Sequence, residues 1–317
     1  MGVAFDLVVP VFGIIAIGYG AARTGFLKYE AVNGINLYVF NFAMPALMFR
    51  SFATIEFPKE ALWGLWLSYY LAMISVWTIG GLIGRFAQGR TLAESVVIGS
   101  GAAQSNTIML GLPIILLALG DDAAPPLFFI LVFHGPILIT LLIFLLEAVM
   151  QPAGAEKSTM RKTLVAGALG TVRNPIVVSF VAGAAYGQSG LGLPGPADMI
   201  FEMLGRTGIP CALFVLGATL TRYQVRRSVG TALVTSTLKL LVHPLLVWLL
   251  AFYVFGLPPL WTAVGVILAG MPTGIYSSIM ATRYDAAAGA ASSTVLLSTA
   301  ISLVTITVLL SLFVPLP

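Results

Sequence analysis

Ten apolar runs, most of them about twenty residues long, follow one another along this chain and constrain its fold more than any other feature. A helix needs about 20 apolar residues to cross the hydrocarbon core of a bilayer. Charged residues make up only 9% of the chain, against about 25% in soluble proteins. The sequence therefore predicts an all-α integral membrane protein with ten transmembrane helices. The runs cover residues 5–22, 33–53, 61–84, 95–118, 124–149, 174–188, 197–220, 231–255, 260–282 and 287–314.

A polar segment with the sequence QPAGAEKSTMRK, at residues 151–162, interrupts the apolar pattern near the middle of the chain. Five runs precede this segment and five follow it. The sequence therefore predicts a first five-helix repeat at 1–150 and a second at 164–317. Residues 151–163 are predicted to form a cytoplasmic linker between them.

Basic residues are distributed unevenly between the predicted loops. Loops rich in Lys and Arg stay on the cytoplasmic side of a membrane, and the loops after the even-numbered runs hold only Lys59. We therefore predict a multi-pass protein of the bacterial inner (plasma) membrane with both termini in the periplasm. This topology accounts for the basic pI of about 9.3, so no nucleic-acid partner is expected. The loops after the odd-numbered runs hold Arg23, Lys28, Arg85, Arg90, Lys157, Arg161, Lys162, Arg173, Arg222, Arg226, Arg227 and Arg283.

The two halves share a pattern of glycine and proline. A shift of 165 residues places Gly18 on Gly183 and Pro45-Ala46-Leu47-Met48-Phe49 on Pro210-Cys211-Ala212-Leu213-Phe214. A shift of 159 places Gly111-Leu112-Pro113 on Gly270-Met271-Pro272. Chance is the alternative, because both residues are common in membrane helices, but the register holds over two runs. Since five spans is an odd number, the second copy must be inverted in the membrane, and we predict two inverted repeats.

The fourth and ninth runs contain polar residues and helix breakers near their centres. The fourth carries QSNTIMLGLP at Gln104–Pro113, and the ninth carries GMPTGIYSS at Gly270–Ser278. Such interruptions are tolerated in a bilayer only where they are buried in protein or line an aqueous cavity. Paired interruptions are typical of secondary transporters, whose half-helix N-termini bind anionic groups. We predict that the fourth and ninth helices are broken, cross each other and bind the substrate.

Polar side chains in the two interruptions are the candidates for substrate contact. Asn106 is the strongest, because an amide inside a membrane usually faces the interior of the helix bundle. The alternative is that these side chains only satisfy backbone groups freed by the prolines. That interpretation is favoured for the individual serines, Ser277 and Ser278. The predicted substrate-binding set is Asn106, Thr107, Gly111, Pro113, Pro272, Thr273, Tyr276 and Ser277.

Three ionisable residues inside apolar runs are candidates for charge or proton contacts. Lys239 lies in the eighth run with His243 four residues later, on the same helical face. Lys239 either contacts the substrate or a neighbouring carboxylate, or extends its ammonium to the interface. His134 lies in the fifth run. It is either a group that titrates near neutral pH or, more commonly, a buried histidine that is only hydrogen-bonded.

Signatures of catalysis and of cofactor binding are missing from the sequence. No HExxH motif, P-loop or Gly-x-Ser-x-Gly motif occurs. Cys211 is the single cysteine, which excludes an intrachain disulfide and a cysteine metal cluster. We therefore expect that the chain is not an enzyme and that it has no cofactor or metal.

Several motifs together resemble the auxin efflux carrier family. The most specific is Ser105-Asn106-Thr107 followed by Gly111-Leu112-Pro113, and the likeness extends from about residue 5 to residue 314. The other matching positions are Pro10 to Gly25, Asn36 to Pro45, Asn174-Pro175, Pro210 with Gly217, Leu238-Lys239 with Pro244, and Pro272.

The resemblance implies the fold shared with bile-acid sodium symporters, with crossed helices four and nine. It implies a scaffold of spans one, two, six and seven, often dimerised, beside a transport domain of spans three to five and eight to ten. Members include plant auxin carriers and bacterial carriers of small carboxylates such as malonate and malate. Matched by position, Asn106 and Pro113 belong to the first crossover and Pro272 to the second.

We therefore expect a secondary transporter of a small organic anion, a carboxylate or an auxin-like acid, that works by elevator-type alternating access. The expected partners are this anion, the lipid bilayer and a second copy bound through the scaffold. The alternative is a transport-inactive membrane sensor or partner-binding protein on the same fold. Because the polar residues of the interruptions are neutral, we expect sodium-independent transport that carries net charge.

Overall fold

A computed structural model describes residues 2–54, 63–150, 173–225 and 228–313 of the chain, with side chains from residue 5 onward. The predicted linker at 151–163 lies outside these residues, as do several of the loop charges used to predict the topology, Lys59 among them.

The described residues fold into helices, and between them one isolated antiparallel bridge joins Ser105 to Thr273. Twelve helices are numbered here in chain order. The first six are α1 (Gly2–Arg23), α2 (Tyr29–Thr54), α3 (Trp63–Ala87), α4 (Leu92–Ala103), α5 (Thr107–Leu119) and α6 (Ala124–Met150). The second six are α7 (Pro175–Gln188), α8 (Gly195–Leu220), α9 (Val229–Val254), α10 (Pro259–Ala269), α11 (Ile275–Arg283) and α12 (Ala288–Phe313).

Seven of these helices are long and apolar enough to cross a membrane: α1, α2, α3, α6, α8, α9 and α12. They correspond to seven of the ten predicted spans. The predicted fourth span is divided into α4 and α5, the sixth is the shorter α7, and the ninth is divided into α10 and α11. The described part of the chain is thus an all-helical protein with the helices of an integral membrane protein, as predicted, whereas the count of ten spans stays a prediction.

Local sequence explains where two of the shorter helices begin. The Thr91 hydroxyl accepts the amide of Glu94 at 3.2 Å while the Glu94 carboxylate accepts the amide of Thr91 at 3.0 Å, so both residues cap the start of α4. The side-chain oxygen of Asn174 accepts the amide of Ile176 at 2.9 Å at the start of α7. Pro175 occupies the first helical position, where no amide is needed.

The described residues divide into two compact units. The first, called here the crossing unit, falls within Met1–Val8, Leu62–Gly167 and Tyr223–Pro317. The second, called the paired-helix unit, falls within Val9–Ala61 and Ala168–Arg222. The crossing unit contains α3–α6 and α9–α12, and the paired-helix unit contains most of α1 together with α2, α7 and α8.

The paired-helix unit is held together by helix backbones in direct contact. A Cβ added to Gly18 of α1 would lie 2.1 Å from the carbonyl oxygen of Phe214 in α8. A Cβ added to Gly183 of α7 would lie 2.5 Å from the carbonyl oxygen of Phe49 in α2. Only glycine permits such close approach. The two contacts exchange partners under the 165-residue shift, since Gly18 corresponds to Gly183 and Phe49 to Phe214.

Candidate substrate site at two interrupted helices

The crossing unit contains both predicted interruptions. Helix α4 ends at Ala103 and α5 begins at Thr107, while α10 ends at Ala269 and α11 begins at Ile275. The breaks are separated by close to 165 residues, the spacing of the first part of the repeat. The sequence places the first break more broadly, over Gln104–Pro113, and pairs its Gly-x-Pro triplet with the second break at a shift of 159. In the structure Gly270-Met271-Pro272 lies within the second break, whereas Gly111-Leu112-Pro113 lies inside α5.

The backbone groups freed by the two breaks satisfy each other. The Asn106 amide donates to the Pro272 carbonyl at 2.8 Å, and the Gly274 amide donates to the Gln104 carbonyl at 3.1 Å. Ser105 and Thr273 lie opposite each other between these two bonds. Each extended segment thus supplies the partners that the other lacks, which makes the breaks tolerable away from water.

Side chains add further connections between the segments. The Gln104 side-chain oxygen accepts the Ser277 amide at 2.7 Å, and the Ser277 and Ser100 hydroxyl oxygens lie 3.0 Å apart. The Thr273 hydroxyl donates to the Gly101 carbonyl at 2.8 Å, and the Thr273 amide donates to the Ser298 hydroxyl at 3.0 Å. Thr273 and Ser277, which the sequence predicts to contact substrate, therefore both hold the two breaks together. The paired segments, residues 104–106 and 270–274, are called the crossing from here on.

Two predicted site residues keep unused hydrogen-bonding capacity. Asn106 and Thr107 are only 8% and 5% exposed as whole residues, and among the described residues neither the Asn106 side-chain amide nor the Thr107 hydroxyl has a hydrogen-bond partner. They stand at the start of α5, where the first amides also lack partners within the helix. The positive end of the α5 dipole and two free polar side chains are therefore available to an anion.

Three of the remaining predicted site residues, Gly111, Pro113 and Tyr276, lie on the half-helices that follow the breaks, and Pro272 lies in the second break. Gly111 ends a π-helical turn at the start of α5, and an added Cβ would meet the Leu268 side chain at 2.6 Å, so Gly111 allows α5 to approach α10. Pro113 is buried in the next turn. Tyr276 is 44% exposed in the first turn of α11, beyond Pro272 in the break itself.

His134 of α6 joins the crossing through Ser105. Its Nε2 lies 3.3 Å from both the amide nitrogen and the carbonyl oxygen of Ser105. Tyr69 of α3 donates its hydroxyl to the Ser105 side chain at 3.1 Å. The Tyr69 ring centroid lies 5.6 Å from that of His134 and 5.4 Å from that of His243. Ser105 therefore serves as the meeting point of α3, α6 and the first break.

Lys239 and His243 lie on α9 and are both fully buried. The Lys239 ammonium nitrogen is 3.0 Å from His243 Nδ1 and donates to the carbonyl of Ala269, the last residue of α10. The ammonium therefore reaches the second interruption, instead of extending to an interface. Among the described residues it has no carboxylate partner.

Several residues of the site are not predicted from the sequence. Tyr69 lies in an apolar run with no distinguishing neighbours, so nothing in the sequence indicates its contact with Ser105. Ser298 could have been predicted from the sequence, because hydroxyl residues recur every four positions in the tenth apolar run and so lie on one face of α12. This row consists of Thr294, Ser298 and Ser302.

Similarity to known proteins agrees with this architecture. A family described as membrane transport proteins matches residues 3–310. A candidate malonate transporter of Rhizobium meliloti (strain 1021) is 29% identical over 306 residues, which cover 96% of this chain and 94% of the relative. Auxin efflux carrier component 8 of Arabidopsis thaliana is 24% identical over 87% of this chain and 88% of its own length. A lysosomal cholesterol signaling protein of Mus musculus is 26% identical over 76% of this chain and 29% of its own length.

The family match spans nearly the whole chain, and the relatives include auxin efflux carriers, as the sequence motifs predict. The chain therefore belongs to the membrane transport protein family that includes the auxin efflux carriers.

Proposed function

We propose that this protein is a secondary transporter of a small organic anion that binds at the crossing of the two interruptions. The unpartnered polar groups of Asn106 and Thr107 are the observation that carries the proposal. The Asn106 side-chain amide and the Thr107 hydroxyl are free to bind a ligand, and a carboxylate would accept hydrogen bonds from both side chains and from the amides that follow Thr107 in the first turn of α5. The named substrates of two relatives, malonate and auxin, are carboxylates.

The two units support an elevator mechanism, in which one part of the protein carries the site while another stays fixed. We assign the transport role to the crossing unit, because it contains the buried polar residues and both interruptions. We assign the scaffold role to the paired-helix unit, whose backbones pack through glycine. A homodimer through the paired-helix unit completes this arrangement, and chemical crosslinking in native membranes tests it.

Reciprocal contacts support the proposed inverted repeat. The Gly18–Phe214 and Gly183–Phe49 contacts exchange under the 165-residue shift. With five spans in each copy, both termini lie in the periplasm of the inner membrane. On a Cys211→Ser background, Asp122→Cys should react with an impermeant thiol reagent from the periplasm and Lys157→Cys should not. The opposite labelling pattern would reverse the topology.

Flux into proteoliposomes tests the function itself. Purified protein reconstituted with internal malonate should exchange it for labelled external malonate, and the exchange should fall in Asn106→Ala. A matched control is Asn33→Ala, which removes an exposed amide from α2 of the paired-helix unit. Equal exchange by wild type and Asn106→Ala would show that the site is elsewhere.

A transport-inactive sensor is the second candidate, because one relative is named as a signaling protein. The two candidates differ in flux but not in binding. A sensor would be stabilised by malonate or an indole carboxylate in a thermal-shift measurement and would catalyse no exchange in proteoliposomes.

A further inference from the structure

Lys239 is an ionisable residue at a position where none is expected. It lies within the π-helical turn Leu238–Val242 of α9, and no part of its side chain is exposed. An ammonium inside a membrane protein is expensive and generally has a functional reason. Because π-helical turns are rare and often found at functional sites, the local backbone is also unusual at this point.

The Lys239 nitrogen contacts a backbone carbonyl and an imidazole, and no carboxylate among the described residues. Among the described residues, the ion pairs that involve Glu94, Asp198 and Glu202 use arginines, and none uses Lys239. Its ammonium instead donates to the carbonyl of Ala269 and lies 3.0 Å from Nδ1 of His243. Ala269 is the last residue of α10, so the ammonium meets the negative end of that helix dipole.

Soluble cations bind at comparable helix ends in other carriers. In secondary transporters with broken helices, the carbonyl ends of half-helices and unwound backbone coordinate the coupling cation. The carbonyl end of α10 faces the second interruption, at residues 270–274, and is such a place. An ammonium has the charge of a monovalent metal ion and likewise binds oxygen atoms.

We propose that the Lys239 ammonium is a tethered cation, which occupies at the carbonyl end of α10 the place that a soluble coupling cation would otherwise take. This inference rests on the proposed function, which it deepens by naming how the substrate charge is balanced. His243 helps to hold the ammonium there, and the ring centroid of Tyr69 lies 5.4 Å from that of His243.

A charge fixed in the crossing unit has a consequence for transport. A monovalent anion bound at Asn106 and the Lys239 ammonium together carry no net charge, and a dianion such as malonate is left with one negative charge instead of two. Moving both through the membrane therefore avoids the cost of transferring a bare anion. The membrane potential, worth about 2.3 kcal/mol per charge per 100 mV, then acts on the return of the empty carrier. Sodium is not required at any step.

Two variants of Lys239 separate the charge from the space that it fills. Lys239→Ala removes the ammonium and leaves a vacancy beside the Ala269 carbonyl, whereas Lys239→Met fills much of the space with an apolar chain. In detergent, methylammonium or sodium should raise the melting temperature of Lys239→Ala relative to choline, whose larger head does not fit. Lys239→Met and the wild type should respond equally to all three cations.

Malonate exchange in proteoliposomes gives the second readout. Exchange by Lys239→Met should fall about tenfold or more, a factor that corresponds to about 1.4 kcal/mol. Methylammonium should restore a measurable part of the exchange in Lys239→Ala and none in Lys239→Met.

Three results would overturn the tethered cation. They are a Lys239→Ala variant whose stability is the same in all three cations, a Lys239→Met variant that exchanges malonate like the wild type, and a wild type that sodium stabilises over choline. The result for Lys239→Met decides the question even if Lys239→Ala does not fold. If the wild type moves no malonate, the transport function fails, while cation-dependent stability of Lys239→Ala would still support the tethered cation.

Discussion

The crossing unit and the paired-helix unit bury different kinds of side chain. All the polar and charged side chains that are buried among the described residues, from Ser68 to Ser302, lie in the crossing unit. In the paired-helix unit the charged residues that form ion pairs, such as Arg50 and Asp198, are about one-third exposed or more. One unit thus has a polar interior and the other an apolar interior.

This difference shows how the cost of buried polar groups is distributed. An unpaired polar group in a dry interior costs several kcal/mol. A protein that keeps such a group free for function must therefore give hydrogen-bond partners to the other polar groups around it. The crossing does so by pairing its own breaks, as in the bond from Asn106 to the Pro272 carbonyl. The paired-helix unit carries no such cost and can be packed for stability alone.

The largest expected effect is in the paired-helix unit. In Gly18→Ala the new Cβ would lie 2.1 Å from the Phe214 carbonyl oxygen, so α1 and α8 must separate. Overpacking of this kind costs about 1–3 kcal/mol, and backbone in direct contact places Gly18→Ala at the upper end of that range. The melting temperature in detergent should drop sharply, and transport should fall with it.

Gly20→Ala is the matched control for Gly18→Ala. Gly20 lies in the same helix, and a Cβ there meets nothing within 4 Å. Since alanine favours helix by about 1 kcal/mol over glycine, Gly20→Ala should be as stable as the wild type or more so. Equal melting temperatures for the two variants would contradict backbone contact between α1 and α8.

The next effect is in the crossing unit and should leave stability unchanged. Asn106→Ala removes a side chain that has no partner among the described residues, so its cost in the free energy of unfolding should stay below about 0.5 kcal/mol. Loss of a hydrogen bond to a charged ligand is worth about 1.5–3 kcal/mol, so malonate affinity should fall about tenfold to a hundredfold. Calorimetric titration of detergent-solubilised protein measures it. A large fall in melting temperature would mean that Asn106 is structural.

A pair of threonines sharpens the comparison within the crossing unit. The Thr273 hydroxyl donates to the Gly101 carbonyl, whereas the Thr107 hydroxyl has no partner among the described residues. Thr273→Val leaves a buried carbonyl without its donor and should cost about 1–3 kcal/mol of stability. Thr107→Val should cost little stability and weaken malonate binding. The contrast fails if the melting temperatures of the two variants fall equally.

The sequence predicts the helices well, because hydropathy alone determines which residues enter the bilayer. Helix α7 begins at Pro175 and α12 ends at Phe313, each within one residue of the predicted span. The interruptions are also predictable, since polar residues and proline are costly in a membrane helix. Their exact limits are not. Pro113 falls inside α5, directly after its π-helical turn, and not in the break.

The functions of individual side chains depend on helix packing, which hydropathy does not contain. The sequence leaves Lys239 equally open to a buried contact or to an interfacial position, because the direction of a long side chain depends on the neighbouring helix. The end of α10 beside α9 decides it. Likewise, Thr273, Ser277 and Thr107 are all hydroxyl residues in interrupted apolar runs, and the sequence alone does not separate their roles. Only the register of the two breaks shows that the hydrogen bonds of Thr273 and Ser277 are used within the crossing.

The smallest expected effect concerns the exposed charges of the paired-helix unit. Arg50 donates to both carboxylate oxygens of Asp198, at 2.6 and 3.1 Å, and to Glu202 at 3.3 Å. Each of these side chains is about one-third exposed, so solvent replaces much of any interaction that is lost. Asp198→Asn keeps the shape and leaves Arg50 next to Glu202. Its melting temperature should change less than that of Thr273→Val, and malonate exchange should equal that of the wild type. Because exposed ion pairs are screened by salt, any small difference should disappear at high ionic strength. A loss of exchange in Asp198→Asn with unchanged stability would place a functional charge in the paired-helix unit, and the division of roles between the two units would then be wrong.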